Sequence, residues 1–296
     1  MRLRTWLSPE ALVTRIAHLS DVHILDPRTR RSTARYRFAA KLVSLGRAVD
    51  PRIRARKLAR ALRAAKAAGA DHIVISGDLT ELGDATEFEH FASVLDEQGL
   101  DGDSVTLVPG NHDAYTTASG WRNALEGPLR RFASTSASEP GKLVDRGPVA
   151  LLPIDTTCFQ SVVRAGGVFT ADAARAVERR LVDPALRDKA IVLVLHHSPF
   201  VQHKTPVMQL FDGLRGYARV TDLLVRHPRL QVLHGHLHRL VDKMMTVTGT
   251  TRARVFGAPA VCDDPGDDPD ADAVPAPRVR LYDVRDGALA PAGPSL

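Results

Sequence analysis

Three stretches of this chain place metal-ligating side chains side by side or one residue apart. Gly235-His236-Leu237-His238 offers two imidazoles, Asp21-Val22-His23 a carboxylate and an imidazole, and Gly110-Asn111-His112-Asp113 an amide, an imidazole and a carboxylate. In extended or loop backbone, alternate side chains point the same general way. His236 with His238, and Asp21 with His23, can therefore each reach one small cation, and neutral imidazoles and carboxylates suit a transition metal. Two more apolar runs end in Gly77-Asp78 and in His196-His197. Taken singly each tetrapeptide is common, because a pair of loop histidines or a capping Asp beside a surface His reads the same. Five of them at the ends of apolar runs point to one shared site.

Those runs have to be strands. Val13 to Ser20, His72 to Ser76, Val105 to Val108, Val149 to Ile154, Ala190 to Leu195 and the run Leu230, Val232, Leu233 carry the apolar and β-branched residues of buried strands. Helices are predicted between them. Lys57–Ala68 sets Leu58, Leu62 and Ala65 on one stripe before Gly69, and Ala85–Gln98 sets Phe88, Phe91 and Leu95 before Gly99. Trp121, Leu125, Leu129 and Phe132 predict another helix, and two more are expected near Ala171–Leu181 and Tyr217–Arg226, with His203 to Gly213 as a loop. Arg254–Ala258 and Arg278–Tyr282 read as further strands around the acidic, Pro-rich loop Asp263–Pro277. Alternating strands and helices imply an α/β layered sheet with its site in the loops at strand ends. No repeat and no linker stands out, so a single domain is expected over residues 1–296.

Composition bounds the setting. The chain has 296 residues, enough to bury a sizeable core, and its two cysteines, Cys158 and Cys262, make no disulfide framework. No apolar run approaches the ~18 residues of a spanning helix, and Met1 to Leu7 lacks the apolar core of a signal peptide. A reducing, cytoplasmic setting is expected. The net charge of +6 is local: residues 28–66 hold fourteen Lys or Arg against one acid, Asp50. Such a segment suggests contact with phosphate or an anionic surface, although a solvated helical face gives the same composition. Tyr36, Phe38, Leu42, Val43 and Leu45 interleave with its arginines, which permits an amphipathic element lying at a membrane interface. Single-strand nucleic acid is not expected, because no aromatic platform alternates with the charge.

In order along the chain, Asp21-x-His23, Gly77-Asp78, Gly110-Asn111-His112-Asp113, His196 and Gly235-His236-x-His238 resemble the five motifs of the calcineurin-like metallophosphoesterases. The resemblance implies a layered α/β/β/α sandwich, with the basic helical segment 28–66 as an insert, and two metal ions. Asp21, His23 and His238 would hold the first ion, Asn111, His196 and His236 the second, and Asp78 would bridge them. Of the adjacent pair, His196 is read as the ligand because it directly ends the strand. Seven N/O donors without a thiolate suit Mn, Fe, Zn or Co, and two cations ~3.5–4 Å apart can clamp a phosphoryl group and hold a bridging hydroxide. The resemblance places His112 beside the phosphate as general acid, with Asp113 orienting and charge-stabilising it.

The motifs specify a phosphoester more closely than they specify which one. Gly-Asn-His-Asp resembles the phosphodiesterase branch, which implies a cyclic nucleotide or a glycerophosphodiester as substrate. The long basic insert, and Ala114-Tyr115-Thr116 where such enzymes often carry an Arg, depart from that branch. A basic, aromatic-dotted insert is similar to membrane-surface UDP-diacylglucosamine pyrophosphatases, which implies a UDP-lipid and a position at the inner membrane face. A third reading, an inactive binding scaffold on the same fold, fits poorly with a complete ligand set.

Overall fold

The apolar runs form strands wherever two faces need covering, and the helices between them supply the cover. The computed structural model describes residues 14–28, 34–44, 46–202, 205–248, 251–266 and 278–293. Its strands are β1 (Arg15–Leu19), β2 (His72–Ser76), β3 (Val105–Val108), β4 (Val144–Asp145), β5 (Val149–Pro153), β6 (Gly167–Val168) and β7 (Ala190–Val194). They continue with β8 (Leu214–Arg215), β9 (Leu230–His234), β10 (Val241–Thr248), β11 (Thr251–Gly257), β12 (Arg280–Arg285) and β13 (Ala288–Pro291). The helices are α1 (Ala34–Val43), α2 (Pro51–Ala67), α3 (Ala85–Glu97), α4 (Gly120–Glu126), α5 (Ala171–Leu181), α6 (Pro206–Asp212) and α7 (Tyr217–Arg226).

One sheet runs β13-β12-β1-β2-β3 and the other β10-β11-β9-β7-β5-β4. Their inner faces meet in a core that joins Ile16, Val74 and Val108 of the first to Leu151, Val192, Leu233 and Phe256 of the second. Outside the first sheet, Leu58 and Leu62 of α2 pack with Phe88, Phe91 and Leu95 of α3 and Trp121 of α4. Val177 of α5 and Val220 and Leu223 of α7 cover the second. The result is the expected α/β/β/α layering. Strands β1, β2 and β3 are mutually parallel, as are β5, β7, β9 and β11, so the strand ends carrying the motifs lie at carboxyl edges. A parallel bridge between Ser20 and Ala260 joins the two edges.

Local chemistry explains the helix ends. Asp50 caps α2 by accepting from Arg52 N, with Pro51 in the first turn, where its missing N–H costs nothing. Asp84 and Glu87 form a reciprocal capping box on α3. The helix expected from Trp121 to Phe132 is instead split, because Pro128 cannot donate in a helix interior; α4 stops at Glu126 and a 3₁₀ turn, Arg130–Thr135, carries Phe132 inward. The expected loop from His203 to Gly213 contains α6, capped by Thr205 Oγ1 on Met208 N. Its seven residues bury no side chain, so periodic burial could not announce it. Most of the Pro-rich loop 263–277 lies outside the described residues. Among those described, no helix is long and apolar enough to cross a membrane.

Candidate metal centre

The five motifs converge where the two carboxyl edges meet. Asp21 and His23 follow β1, Asp78 follows β2, Asn111 follows β3, His196 follows β7, and His236 and His238 follow β9. Among the described residues six non-glycines have positive φ, and five are of this set: Asp21 (54°), His23 (55°), Asp78 (50°), His236 (68°) and His238 (51°). Left-handed backbone at a residue with a Cβ costs ~1 kcal/mol or more and persists where the surroundings enforce it. Here the enforcement is a web of hydrogen bonds. Asp21 N donates to Gly77 O and His23 N to Asp78 O, while Asp21 O accepts from Cys262 N. The carboxylates then bind backbone in turn, with His236 N donating to Asp21 Oδ2 (3.1 Å) and His112 N to Asp78 Oδ1 (2.9 Å). Gly110 is required beside them, because a Cβ there would overlap the Asp78 carboxylate.

The remaining carboxylate oxygens face imidazoles. Asp78 Oδ2 lies 3.3 Å from His196 Nε2, 3.7 Å from His23 Nε2 and 4.0 Å from His112 Nε2. Asp21 Oδ1 lies 3.4 Å from His238 Nε2. Ligand atoms of Asp21, Asp78 and His196 all fall within 4.8 Å of one another, as do those of His23, Asp78 and His112.

Three of the rings are held by one nitrogen. His196 Nδ1 donates to Ser76 O at 2.8 Å, His236 Nε2 to Asp212 O at 2.8 Å and His238 Nδ1 to Asp263 Oδ2 at 2.9 Å. A carbonyl or carboxylate only accepts, so these contacts fix the tautomer and leave the opposite nitrogen of each neutral ring with a lone pair. His23 is fully buried with neither nitrogen hydrogen-bonded. Asn111 is oriented by a relay, since Tyr115 OH donates to Arg164 O (2.9 Å) and accepts from Asn111 Nδ2 (2.8 Å). That leaves Asn111 Oδ1 buried without a hydrogen-bond partner, as are Asp21 Oδ1 and His196 Nε2, whose residues cluster with Asp78. Buried donor atoms left unpaired in one cluster are what a pair of cations would satisfy, so the residues fit two metal ions. His197 Nδ1 meets Thr156 Oγ1 at 2.7 Å and its Nε2 is buried without a partner, while His196 Nε2 is the one that faces Asp78.

Charge in the cluster agrees. Burial opposes ionisation of Asp78, yet His196, His112 and His23 outweigh it and hold the carboxyl well below the usual range. Burial also opposes charge on His196 and His238, but Asp78 and Asp21 carry His196 up to about 9, and Asp21 with Asp263 carries His238 to about 10. The carboxylates thus draw positive charge into the site. His23 goes the other way, since burial and the neighbouring His112 keep its pKa well below the ordinary value.

Three features differ from the sequence expectation. Asp113 does not orient His112. Its Oδ2 accepts from Gly110 N (2.8 Å) and Leu79 N (3.1 Å), and its Oδ1 from Thr80 N (2.9 Å) and Thr80 Oγ1 (2.7 Å). The tight 3₁₀ turn His112–Ala114 aims it at the loop after β2, and His112 Nδ1 donates instead to Glu81 O at 2.8 Å. Second, a thiol does stand in the cluster: Cys262, on the turn after β11, lies with His23 and His238, its pKa raised well above ordinary by burial. A lone Cys ahead of an acidic loop carried no signal for this.

Third, the basic segment divides. Glu81, fully buried and overlooked in the sequence, accepts from Ser44 Oγ (3.0 Å) and Arg47 Nη2 (3.3 Å), and its Oε2 lies 3.6 Å from both Arg54 Nη2 and His23 Nδ1. Lys57 Nζ donates to Cys262 O, and Arg60 Nη1 to Asp264 Oδ1. These cations buttress the site from behind and do not face an outside partner. Arg37, Phe38, Lys41 and Leu42 on α1 remain exposed, Val43 enters the core, and Arg30 and Arg31 lie outside the described residues.

The fold is similar to that of a dimetal phosphatase from Danio rerio, with 16% sequence identity, 93% of this chain and 94% of that one covered, and a TM-score of 0.61. It is also similar to TT1561 of Thermus thermophilus, with 15% identity, 95% and 98% covered, and a TM-score of 0.54. At these identities the likeness is one of fold. No curated protein sequence matches the chain. Residues 14–240, well over half of the sequence, match the calcineurin-like phosphoesterases, and the chain belongs to that family.

Proposed function

We propose that this chain is a dinuclear metal-dependent phosphoester hydrolase acting on phosphodiesters, with His112 as proton donor to the leaving oxygen. The observation that carries it is the set of imidazoles whose outer nitrogens are pinned and whose inner nitrogens face Asp21 and Asp78. Asp21, His23 and His238 would hold one ion, Asn111, His196 and His236 the other, and Asp78, whose Oδ2 faces both His23 and His196, would lie between them. Bound ions would polarise the phosphoryl group and supply a nucleophile near neutral pH. Mn, Fe and Zn all suit the N/O donors; the Cys262 thiol nearby widens the set toward softer ions.

The chain's own part is positional and protic. With Nδ1–H donated to Glu81 O, His112 keeps its ring plane, and Nε2 faces the Asp78 side of the site. A proton carried on Nε2 is in reach of an alkoxide leaving from a phosphoryl group held there. Gly-Asn-His-Asp supports the diester reading; a cyclic nucleotide or a glycerophosphodiester would present that linkage, whereas a UDP-lipid would present a phosphoanhydride whose phosphate leaving group needs little help from His112. The intact donor set argues against an inactive scaffold.

The test is metal analysis joined to turnover of bis(p-nitrophenyl) phosphate and p-nitrophenyl phosphate with Mn²⁺. Wild type is expected to hold two ions per chain and to prefer the diester, and Asp78→Ala to lose both ions and activity. Asp78→Ala protein that keeps two ions and normal turnover would sink the dinuclear reading.

A further inference from the structure

Large apolar side chains are exposed unevenly on this protein. Among the described residues thirteen stand out, and nine of them fall in three segments, 34–43, 156–166 and 201–212. Phe38 is 72% exposed and Val163 69%, with Leu42, Phe159, Val207 and Met208 also open to solvent. Scattered single residues would need no explanation, whereas a contiguous apolar patch marks a binding surface.

The three segments are contiguous. Val162 packs against the small cluster that holds Ala40 and Val43 of α1 together with Tyr115. At the other side the same loop joins α6, with Ala165 N donating to Phe211 O (2.9 Å) and the Arg164 guanidinium lying 5.1 Å from the Phe211 ring centre. Gln202 N donates to Gln209 Oε1 and fastens the chain before α6 to it.

This rim is built onto the metal centre. Tyr115, which holds the Asn111 amide, donates to Arg164 O in the loop, and Asp212 at the end of α6 accepts from His236 Nε2. Its charge has one sign. Among the described side chains of the three segments the cations are Arg37, Lys41 and Arg164, and the one acid, Asp212, is turned to His236. Arg37 and Lys41 are exposed on the same helix as Phe38 and Leu42. Apolar side chains flanked by the exposed cations Arg37 and Lys41 match an anionic lipid surface, where the former enter the acyl boundary and the latter meet headgroups.

We propose that α1, the 156–166 loop and α6 form a lip that lies on an anionic lipid surface and presents the phosphoester of an acylated lipid to the metal centre. The substrate half rests on the phosphoester reading above; the surface half does not. Apolar contact holds the lip down, and the link from α6 through Asp212 to His236 places the cleaved bond beside the bilayer.

Mn²⁺-loaded full-length protein is tested by co-sedimentation with phosphatidylglycerol and with phosphatidylcholine vesicles. Turnover is read on two esters sharing one leaving group: methyl p-nitrophenyl phosphate in solution and diacylglycerol p-nitrophenyl phosphate carried in the vesicles. The variant is Phe38→Ser, Val163→Ser, Val207→Ser and Met208→Ser combined, with Phe38→Ser and Met208→Ser also read singly in case the combination does not fold. Wild type should sediment with phosphatidylglycerol and prefer the vesicle-borne ester. The combined variant should lose partition and vesicle-borne turnover by ~tenfold or more, and keep the soluble rate. Equal sedimentation with both lipids, sedimentation with neither, or variants that bind like wild type would overturn the proposal. So would binding without hydrolysis of the acylated ester while the soluble ester is turned over, or a dimer that the substitutions dissociate, since a second copy would then cover the face. Loss of hydrolysis on both esters with vesicle binding intact would instead count against the phosphoesterase reading, and leave the lip standing.

Discussion

His112 Nδ1 donates to the backbone carbonyl of Glu81 across 2.8 Å, and the carboxylate of that same Glu81 sits 3.6 Å from His23 Nδ1. One residue, three positions after Asp78, therefore orients the proposed proton donor through its backbone and braces a proposed metal ligand through its side chain. Because the first contact uses the main chain, no side-chain substitution at position 81 removes it directly.

His112→Ala is expected to keep metal content and melting temperature and to lower kcat by ~10²–10⁴, the usual contribution of a positioned acid. Esters with good leaving groups should suffer less, because their oxygens need less protonation. Equal losses on p-nitrophenyl and alkyl diesters would argue that His112 does not protonate the leaving group.

Glu81 is the only carboxylate reached by both Arg47 and Arg54 among the described contacts, and Arg54 is fully buried. Removing one partner strands the other charge in the interior. Glu81→Gln should cost roughly 3–5 kcal/mol by urea denaturation, together with weaker metal binding through His23. A cost below ~1 kcal/mol would show that water reaches Arg54 and that the network carries little of the fold.

Asp113→Asn should act on folding more than on chemistry. An amide cannot accept at all four of the contacts that Asp113 now receives from Leu79, Thr80 and Gly110, so at least one backbone N–H is left facing an NH₂ group. A loss of ~1–3 kcal/mol per stranded group follows. The checking measurement is thermal denaturation alongside kcat under conditions where the variant is folded. A large fall in kcat at unchanged stability would return Asp113 to the role of orienting His112.

How far the sequence could be read depended on whether a residue's role was local. Strands β1, β2, β3, β5, β7 and β9, and helices α3, α5 and α7, are set by runs of apolar residues and by stops within a few positions, and they stand where the pattern puts them. The convergence of Asp21, Asp78, Asn111, His196, His236 and His238 was legible for the same reason, since each ends such a run. What the pattern could not carry was direction across the chain. Asp113 sits beside His112 in sequence, but the 3₁₀ turn separates their side chains and gives the orienting contact to Glu81. Arg54 and Glu81 are 27 positions apart and meet only once α2 is laid on the first sheet, so fourteen basic residues looked like a surface when part of them is interior. Helix α6 escaped because it buries no side chain, and strand β10 because none of its side chains from Val241 to Met245 is fully buried.

Acid stability offers a test away from the metal centre. His72, buried in β2, meets Thr106 Oγ1 through Nε2, and burial followed by the charge of Arg146 lowers its pKa to about 3 against a smaller upward pull from the Asp103 backbone. An unfolded histidine titrates near 6.5, so between these values the unfolded chain takes up a proton that the folded chain refuses. The sign follows: the stability that neutral His72 contributes is complete above pH 6.5 and is lost as pH falls toward 3. Its share of the slope is up to ~1.4 kcal/mol per pH unit in that window. His18, lowered to about 3 chiefly by burial, adds a slope of the same sign. His72→Gln should therefore unfold less steeply with acid than wild type, by close to one proton in the pH dependence of ΔG between pH 6 and pH 4, whatever its stability at pH 7. Denaturant titrations of both proteins at half-unit pH steps check this. Parallel slopes would mean that His72 is protonated in the folded chain, and that β2 is less closed to water than its burial indicates.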